Sequence, residues 1–229
     1  MTTLPDSKEL SRESKKQVQE KIISAAGEVF AERGFREATV REITRRAGVN
    51  VAAVNYYFRD KEELYHCVLR ASKAQCSELV DEDLSGGAEA RLRAFVLRFV
   101  LHLLDPNRPE WHIKVLNQEM MNPTPAIDML AGELVGPVFH RLCGIVAEIV
   151  GDDVPEAELH LMVASILGQC LFHRRSRALI ERLAPEVCHG EDAPGRIAAH
   201  IADFSLAALR SLRPKPASRP AKAKARAQS

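Results

Sequence analysis

The 229 residues are 46% hydrophobic and 28% charged, the composition of a globular chain with room for one or two domains. Met1 to Asp6 lack the basic-then-apolar order of a secretory leader, and apolar stretches such as Phe95–Leu104 fall short of the roughly 20 residues that span a bilayer, so a cytoplasmic protein is expected. The net charge of +1 hides an asymmetry: residues 1–59 carry 11 basic against 8 acidic side chains, residues 60–212 carry 15 against 23, and residues 213–229 carry 6 against none, which suits a polyanionic partner at one end only.

Alternating β-branched runs and hairpin dipeptides are absent while helical periodicity recurs, so the expected fold is all-α, with about nine helices. Residues 1–14 are polar without apolar periodicity and are expected to form a disordered arm. Val18, Ile22, Ala25, Ala26, Val29 and Phe30 then repeat at helical spacing, predicting a helix over 16–33 that Gly34 stops. Thr39 and Asp60 each stand three residues before a glutamate, the pattern that opens helices over 39–46 and 60–82. Between them Asn50 is a good N-cap for a short helix over 51–57.

The segment from Thr39 to Lys61 meets the demands of a helix-turn-helix. Gly48 is the residue most able to adopt the positive φ of the tight turn, and Thr44 is small where the second helix must come close. Ile43, Ala47, Val49 and Val54 are spaced to close a miniature core between the two helices. The second helix would then offer Val51, Ala52, Asn55 and Tyr56 on its exposed face. Small residues at its start let the backbone enter a major groove, and an asparagine there pairs bidentately with an adenine edge. Tyr56 and Tyr57 reach phosphates through their hydroxyls, whereas Phe58 reads as a hydrophobic pin.

These residues resemble the TetR/AcrR regulators. The resemblance is carried by Phe30-Ala31-Glu32-Arg33-Gly34-Phe35, Thr39-Val40-Arg41-Glu42-Ile43, Ala47-Gly48-Val49 and Tyr57-Phe58-Arg59-Asp60-Lys61-Glu62-Glu63-Leu64. The stretch from Val49 to Phe58 is similar to the CecR-type branch. The resemblance implies an N-terminal three-helix DNA-binding domain over 15–60 and a helical effector-binding and dimerisation domain over 61–212. It implies that Arg41 reaches a base edge or phosphate, that Val51, Ala52, Ala53, Asn55 and Tyr56 face the groove, and that Thr39, Tyr57 and Lys61 hold the backbone; Asn50, at the start of the recognition helix, is a further DNA-binding candidate. Asn55 departs from the tyrosine of many relatives, which bears on the operator sequence.

Further helices are expected over 89–104, 109–121, 126–150, 155–183 and 193–212, broken by Ser85-Gly86-Gly87, by the prolines at 106, 109, 123 and 125, and by Pro155 and Pro194 at helix starts. In the last two, Val163, Ile166, Leu167, Leu171, Ile197, Ile201, Phe204 and Leu209 are candidates for a dimer interface or for core. Trp111, His112, Met120, Phe139, His140, Cys143, Gln169, Phe172 and His173 mix apolar bulk with isolated polar groups, as a small-molecule effector pocket does. Five widely spaced cysteines suggest free thiols, and no spacing suggests a metal site or cofactor. Residues 213–229 form a basic, disordered tail that either holds DNA or solubilises the chain. The resemblance implies a ligand-responsive repressor that binds a palindromic operator as a homodimer. A DNA-bound scaffold without effector is the alternative, and an all-helical enzyme lacks any nucleophile or phosphate-loop motif.

Overall fold

The computed structural model describes residues 7–73, 86–151, 153–190 and 192–212, all helices and connections with no strand among them. The helices are α1 (Ser7–Glu37), α2 (Val40–Ala47), α3 (Val51–Phe58), α4 (Lys61–Lys73), α5 (Ala88–Leu104), α6 (Glu110–Met121), α7 (Ile127–Val150), α8 (Glu156–Arg175), α9 (Arg177–Leu183), α10 (Pro185–Cys188) and α11 (Ala193–Leu212). The helix expected over 155–183 ends at Arg175, where Ser176 leaves helical geometry and its N–H closes on Phe172 O at 2.8 Å. Residues 7–14, expected as part of a disordered arm, are the first turns of α1. The outer part of the helix expected over 60–82 and the basic tail lie outside the described residues.

Two compact units emerge, one of residues 7–73 and 98–141, the other of residues 86–97 and 142–212. These units divide the chain otherwise than at residue 60. Leu64, Tyr65, Val68, Leu69, Trp111, Val115, Leu130 and Leu134 share one core with Ile22, Phe30, Ile43, Val54 and Phe58. The physical reason lies in α1, which buries Ile22, Ala25, Ala26, Gly27, Val29 and Phe30, a stripe wider than two short helices cover. Helix α6 takes the rest. A Cβ on Gly27 would lie 2.3 Å from Trp111 Cε3, and one on Gly34 would lie 2.9 Å from Gln118 Nε2. Each pair of partners is two helical turns apart, so α1 and α6 run parallel in a single register.

Helix α7 is long and apolar enough, by length and composition, to cross a membrane. Its buried residues Leu130, Leu134, Val138, Leu142, Ile145, Val146, Ile149 and Val150 fall on one stripe, the pattern of a core helix. Leu130–Val135 is π-helical, and the Gly136 N–H returns to Ala131 O; a Cβ on Gly136 would sit 2.5 Å from that oxygen. Arg70 of α4 grips Glu133 in this bulge through two hydrogen bonds of 3.0 and 3.3 Å.

In the second unit α8 and α11 bury Val163, Ile166, Cys170, Ile197, Ile201, Leu206 and Leu209. Arg210 pairs with Glu89, and Arg93 with Asp203 at 2.6 Å, which ties α11 to α5. Gln169 Nε2 donates to Ser205 Oγ at 3.5 Å.

Candidate nucleic-acid interface

The reading head is built by local chemistry. Thr39 Oγ1 accepts the Glu42 N–H at 3.2 Å and starts α2. The reciprocal half of a capping box is not made, because the Glu42 carboxylate pairs with Arg33 at 2.9 Å. Gly48 takes φ 67°, and Val49 N–H reaches back to Thr44 O at 3.0 Å to close the turn. Thr44 is buried, and its hydroxyl donates to Arg41 O at 3.1 Å, so the small polar residue at the crossing is satisfied. Asn50 Oδ1 accepts Ala52 N–H at 3.1 Å and starts α3. Asn50 is thus an architectural cap first.

Helix α3 has two faces. Val54 and Phe58 are buried, Ala53 and Tyr57 pack against the core, and Val51, Ala52, Asn55 and Tyr56 are exposed, Tyr56 to 69%. The Tyr56 and Tyr57 rings meet edge-on at 4.9 Å, which steadies the outer tyrosine. The face expected to read DNA is the one left to solvent.

Several cations of this region are already committed. Arg46 forms a bidentate pair with Glu32 at 2.7 and 2.8 Å and holds that carboxyl below its usual range. Arg33 serves Glu42. By contrast Arg36, Arg41 and Arg45 are exposed and enter no ion pair among the described residues, leaving their charge to a partner. Lys61 is partly engaged within the chain. Its ammonium donates to Phe35 O at 2.9 Å and Ala38 O at 3.1 Å and lies 4.5 Å from the Phe35 ring centre. Carbonyls at the end of a helix carry partial negative charge, so a half-buried lysine settles there. Sequence spacing could not show this, because both acceptors belong to residues more than twenty positions away.

One functional candidate was missed altogether. Arg59, just past α3, has φ 59° and ψ −55°, and its side chain is exposed. Nothing in the sequence marks it beyond its place between Phe58 and Asp60.

Known proteins match the chain along both halves. Residues 22–68 match the family model for bacterial regulatory proteins of the tetR family. Residues 88–209, more than half of the chain, match the C-terminal domain of the HTH-type transcriptional dual regulator CecR. The chain is a TetR-family transcriptional regulator with a CecR-type C-terminal domain. It is 27% identical over 180 residues to the dual regulator CecR of Shigella flexneri, covering 72% of this chain and 78% of that protein. It is 38% identical over 79 residues to the transcriptional regulator BetI of Escherichia coli, covering 33% of this chain and 40% of that one. A solved tetR-family protein from Rhodococcus RHA1 shares the fold at a TM-score of 0.63 and 20% identity, over 84% of this chain and 96% of that one.

The regulator therefore binds DNA, and its remaining candidate residues can be placed. Trp111 is buried with its ring over Gly27 of α1 and so supports the reading head. Met120 lies nine residues further along α6, on the opposite, exposed side. Phe139 is half-buried and His140 exposed. In the second unit Phe172 is 52% exposed, while Cys143, Gln169 and His173 are half-buried. Burial pushes the Cys143 thiol up and the His173 imidazole down. Of the interface candidates, Val163, Ile166, Ile197, Ile201 and Leu209 are buried within the protomer and are core. Leu167 and Leu171 are half-buried, and Phe204 is 62% exposed. Among the described residues no group of three His, Cys, Asp or Glu could hold a metal ion.

A cleft of about 420 Å³ opens where the end of α1, Tyr65 of α4 and residues 118–124 meet. Its floor is a buried network in which Glu119 accepts from Tyr65 OH at 2.8 Å, Thr124 N–H at 2.8 Å and the Thr124 hydroxyl at 3.0 Å. Burial first, then Glu119, pushes the Tyr65 hydroxyl far above its ordinary pKa. Two turns along α4 from Tyr65, Ser72 O accepts from Arg108 at 2.8 Å, and Arg108 also donates to His102 Nε2 at 2.5 Å. Burial first, then Arg108, holds His102 and His112 down at about 4.

Proposed function

We propose that this regulator is a ligand-responsive repressor that binds a palindromic operator in the cytoplasm as a homodimer. Val51, Ala52, Ala53, Asn55 and Tyr56 would meet the major groove, with Arg41, Thr39 and Tyr57 on the flanking backbone. One observation carries the reading: the reading head is paired with unpartnered stripes on the last long helices. Leu161, Ala164, Ser165, Gly168 and Phe172 lie exposed at helical spacing along α8, as do His200, Phe204, Ala208 and Leu212 along α11. Small and apolar residues in such rows suit helix packing against a second copy, and a dimer presents two recognition helices to successive major grooves. The effector reading rests on buried imidazole nitrogens. His112 Nδ1 in the first unit and His173 Nδ1 in the second each lack a hydrogen-bond partner among the described residues, and a polar molecule bound within either unit by itself would satisfy the nitrogen there.

Selection of binding duplexes from a random pool tests the proposal. The expected product is an inverted repeat, bound by two chains at least about a thousandfold more tightly than random DNA. Enrichment of single half-sites, or of nothing, would refute it. The name of the relative matched over residues 88–209 favours a second reading, in which the same complex activates some promoters and represses others. Transcription assays on both arms of the regulated region separate the two.

A further inference from the structure

The geometry points to Arg59 as a phosphate contact of the DNA complex, held beyond the recognition helix by a strained turn and resting on Asp60 until a phosphate replaces it. Ala52, Asn55 and Tyr56 mark the exposed row of α3, and Arg59 follows directly where the helix ends at Phe58. Every other positive-φ position among the described residues is a glycine: Gly34, Gly48, Gly86, Gly151 and Gly190. Arg59 alone carries a side chain there. Its φ of 59° and ψ of −55° form a three-residue turn closed by Asp60 N–H on Phe58 O at 2.5 Å, an uncommon and strained conformation.

A glycine would make the same turn without that strain. The arginine side chain gains nothing from packing to offset it, because it is 82% exposed and its ion pair is with the neighbouring Asp60, 3.0 Å away. Such an exposed pair contributes little and exchanges readily. Asp60 does not depend on Arg59 for its role, because its other oxygen, Oδ1, caps α4 by accepting Glu63 N–H at 2.8 Å. Releasing Arg59 therefore leaves α4 intact. A guanidinium fork matches a phosphate better than a single carboxylate oxygen taken through Nε, and a phosphate contact fixes register without reading bases.

Three variants separate charge from backbone: Arg59→Gly relaxes the turn and removes the charge, Arg59→Gln keeps the turn and removes the charge, and Arg59→Lys keeps both. Affinity for a random-sequence duplex, and for a duplex enriched by the wild type, is read by fluorescence anisotropy over a salt series. Thermal melting is read in parallel. We expect Arg59→Gly to melt higher than the wild type yet bind both duplexes more weakly by the same factor. Its log–log salt slope should shrink by about 0.9 per bound recognition helix. Arg59→Gln should lose the same slope without the gain in melting temperature, and Arg59→Lys should keep the wild-type slope. Wild-type affinity and slope in Arg59→Gly would overturn the assignment. So would a loss confined to one base position, or equal losses in all three variants at unchanged slope, which would mark a local shape effect. Arg59→Gly melting no higher than the wild type would remove the strain from which the case starts.

Discussion

At the scale of single residues, the reading head separates side chains that build it from side chains left to meet DNA. Asn55 and Tyr56 are exposed, and the Tyr56 ring meets that of Tyr57 edge-on. Asn55→Ala and Tyr56→Ala should each cost operator binding about 1–3 kcal/mol while circular dichroism and melting stay at wild type, and Asn55→Ala should also relax preference at one base pair. Lys61 belongs to the building group. Lys61→Met removes two charge-assisted bonds, to Phe35 O of α1 and to Ala38 O just past it, and should lower folding stability by about 1.5–3 kcal/mol in denaturant titrations. If Lys61 instead touched a phosphate, the salt slope of the variant would shrink by about 0.9, and we expect it unchanged. His102 and His112 give the protein an acid limit. Their folded pKa of about 4 lies below the ordinary 6.5, so the unfolded chain binds more protons between those values. Stability from this source is fully present above about pH 6.5 and is lost as the pH falls toward about 4. Melting temperature should drop across that window, and a His102→Gln, His112→Gln double variant should show a flatter profile.

At the scale of elements, α1 and α6 are joined through two glycine sites that admit a tryptophan and a glutamine. Glycine inside a helix normally costs about 0.5–1 kcal/mol relative to alanine, so Gly27→Ala would stabilise an open helix. Here the added Cβ would lie 2.3 Å from the Trp111 ring, a distance that atoms do not share. Overpacking of this kind costs about 1–3 kcal/mol and outweighs the propensity gain. Gly27→Ala should therefore destabilise in urea titrations, and Trp111→Ala should cost about 3–5 kcal/mol through the cavity it leaves. The double variant should recover part of the Gly27→Ala loss, since the two changes share one space.

At the scale of the whole molecule, the exposed rows on α8 and α11 and the DNA site make linked predictions. Phe204→Asp places a charge in the middle of the proposed self-interface. It should give monomers in sedimentation velocity with the helical content unchanged, and it should abolish binding to an inverted repeat more strongly than to a half-site. A variant that stays dimeric would move the interface elsewhere. An effector that weakens operator binding must be weakened by operator in the same proportion, with a typical coupling of about 1–3 kcal/mol, or roughly 5- to 150-fold. Titration of a candidate metabolite with and without operator checks this, and equal affinities in the two conditions would exclude an allosteric role for that metabolite.

What the sequence determined by itself is what depends on neighbours along the chain. Helix periodicity, the Thr39, Asn50 and Asp60 caps, the left-handed turn at Gly48 and the inward positions of Ile43, Val54 and Phe58 follow from spacing and backbone chemistry within a few residues. These are also the features that carry the family resemblance, so the DNA-binding reading was legible before the fold. Tertiary structure decided everything that turns on which surfaces meet. The ammonium of Lys61 finds carbonyls contributed by α1 and the turn after it, and the Trp111 ring finds a missing side chain at Gly27. Val163, Ile166, Ile197, Ile201 and Leu209 are core while Phe204 is surface, although all of them are apolar. An apolar residue on a helix records only that something will cover it; whether its own chain or a second copy does so depends on how distant helices pack, and no local pattern encodes that.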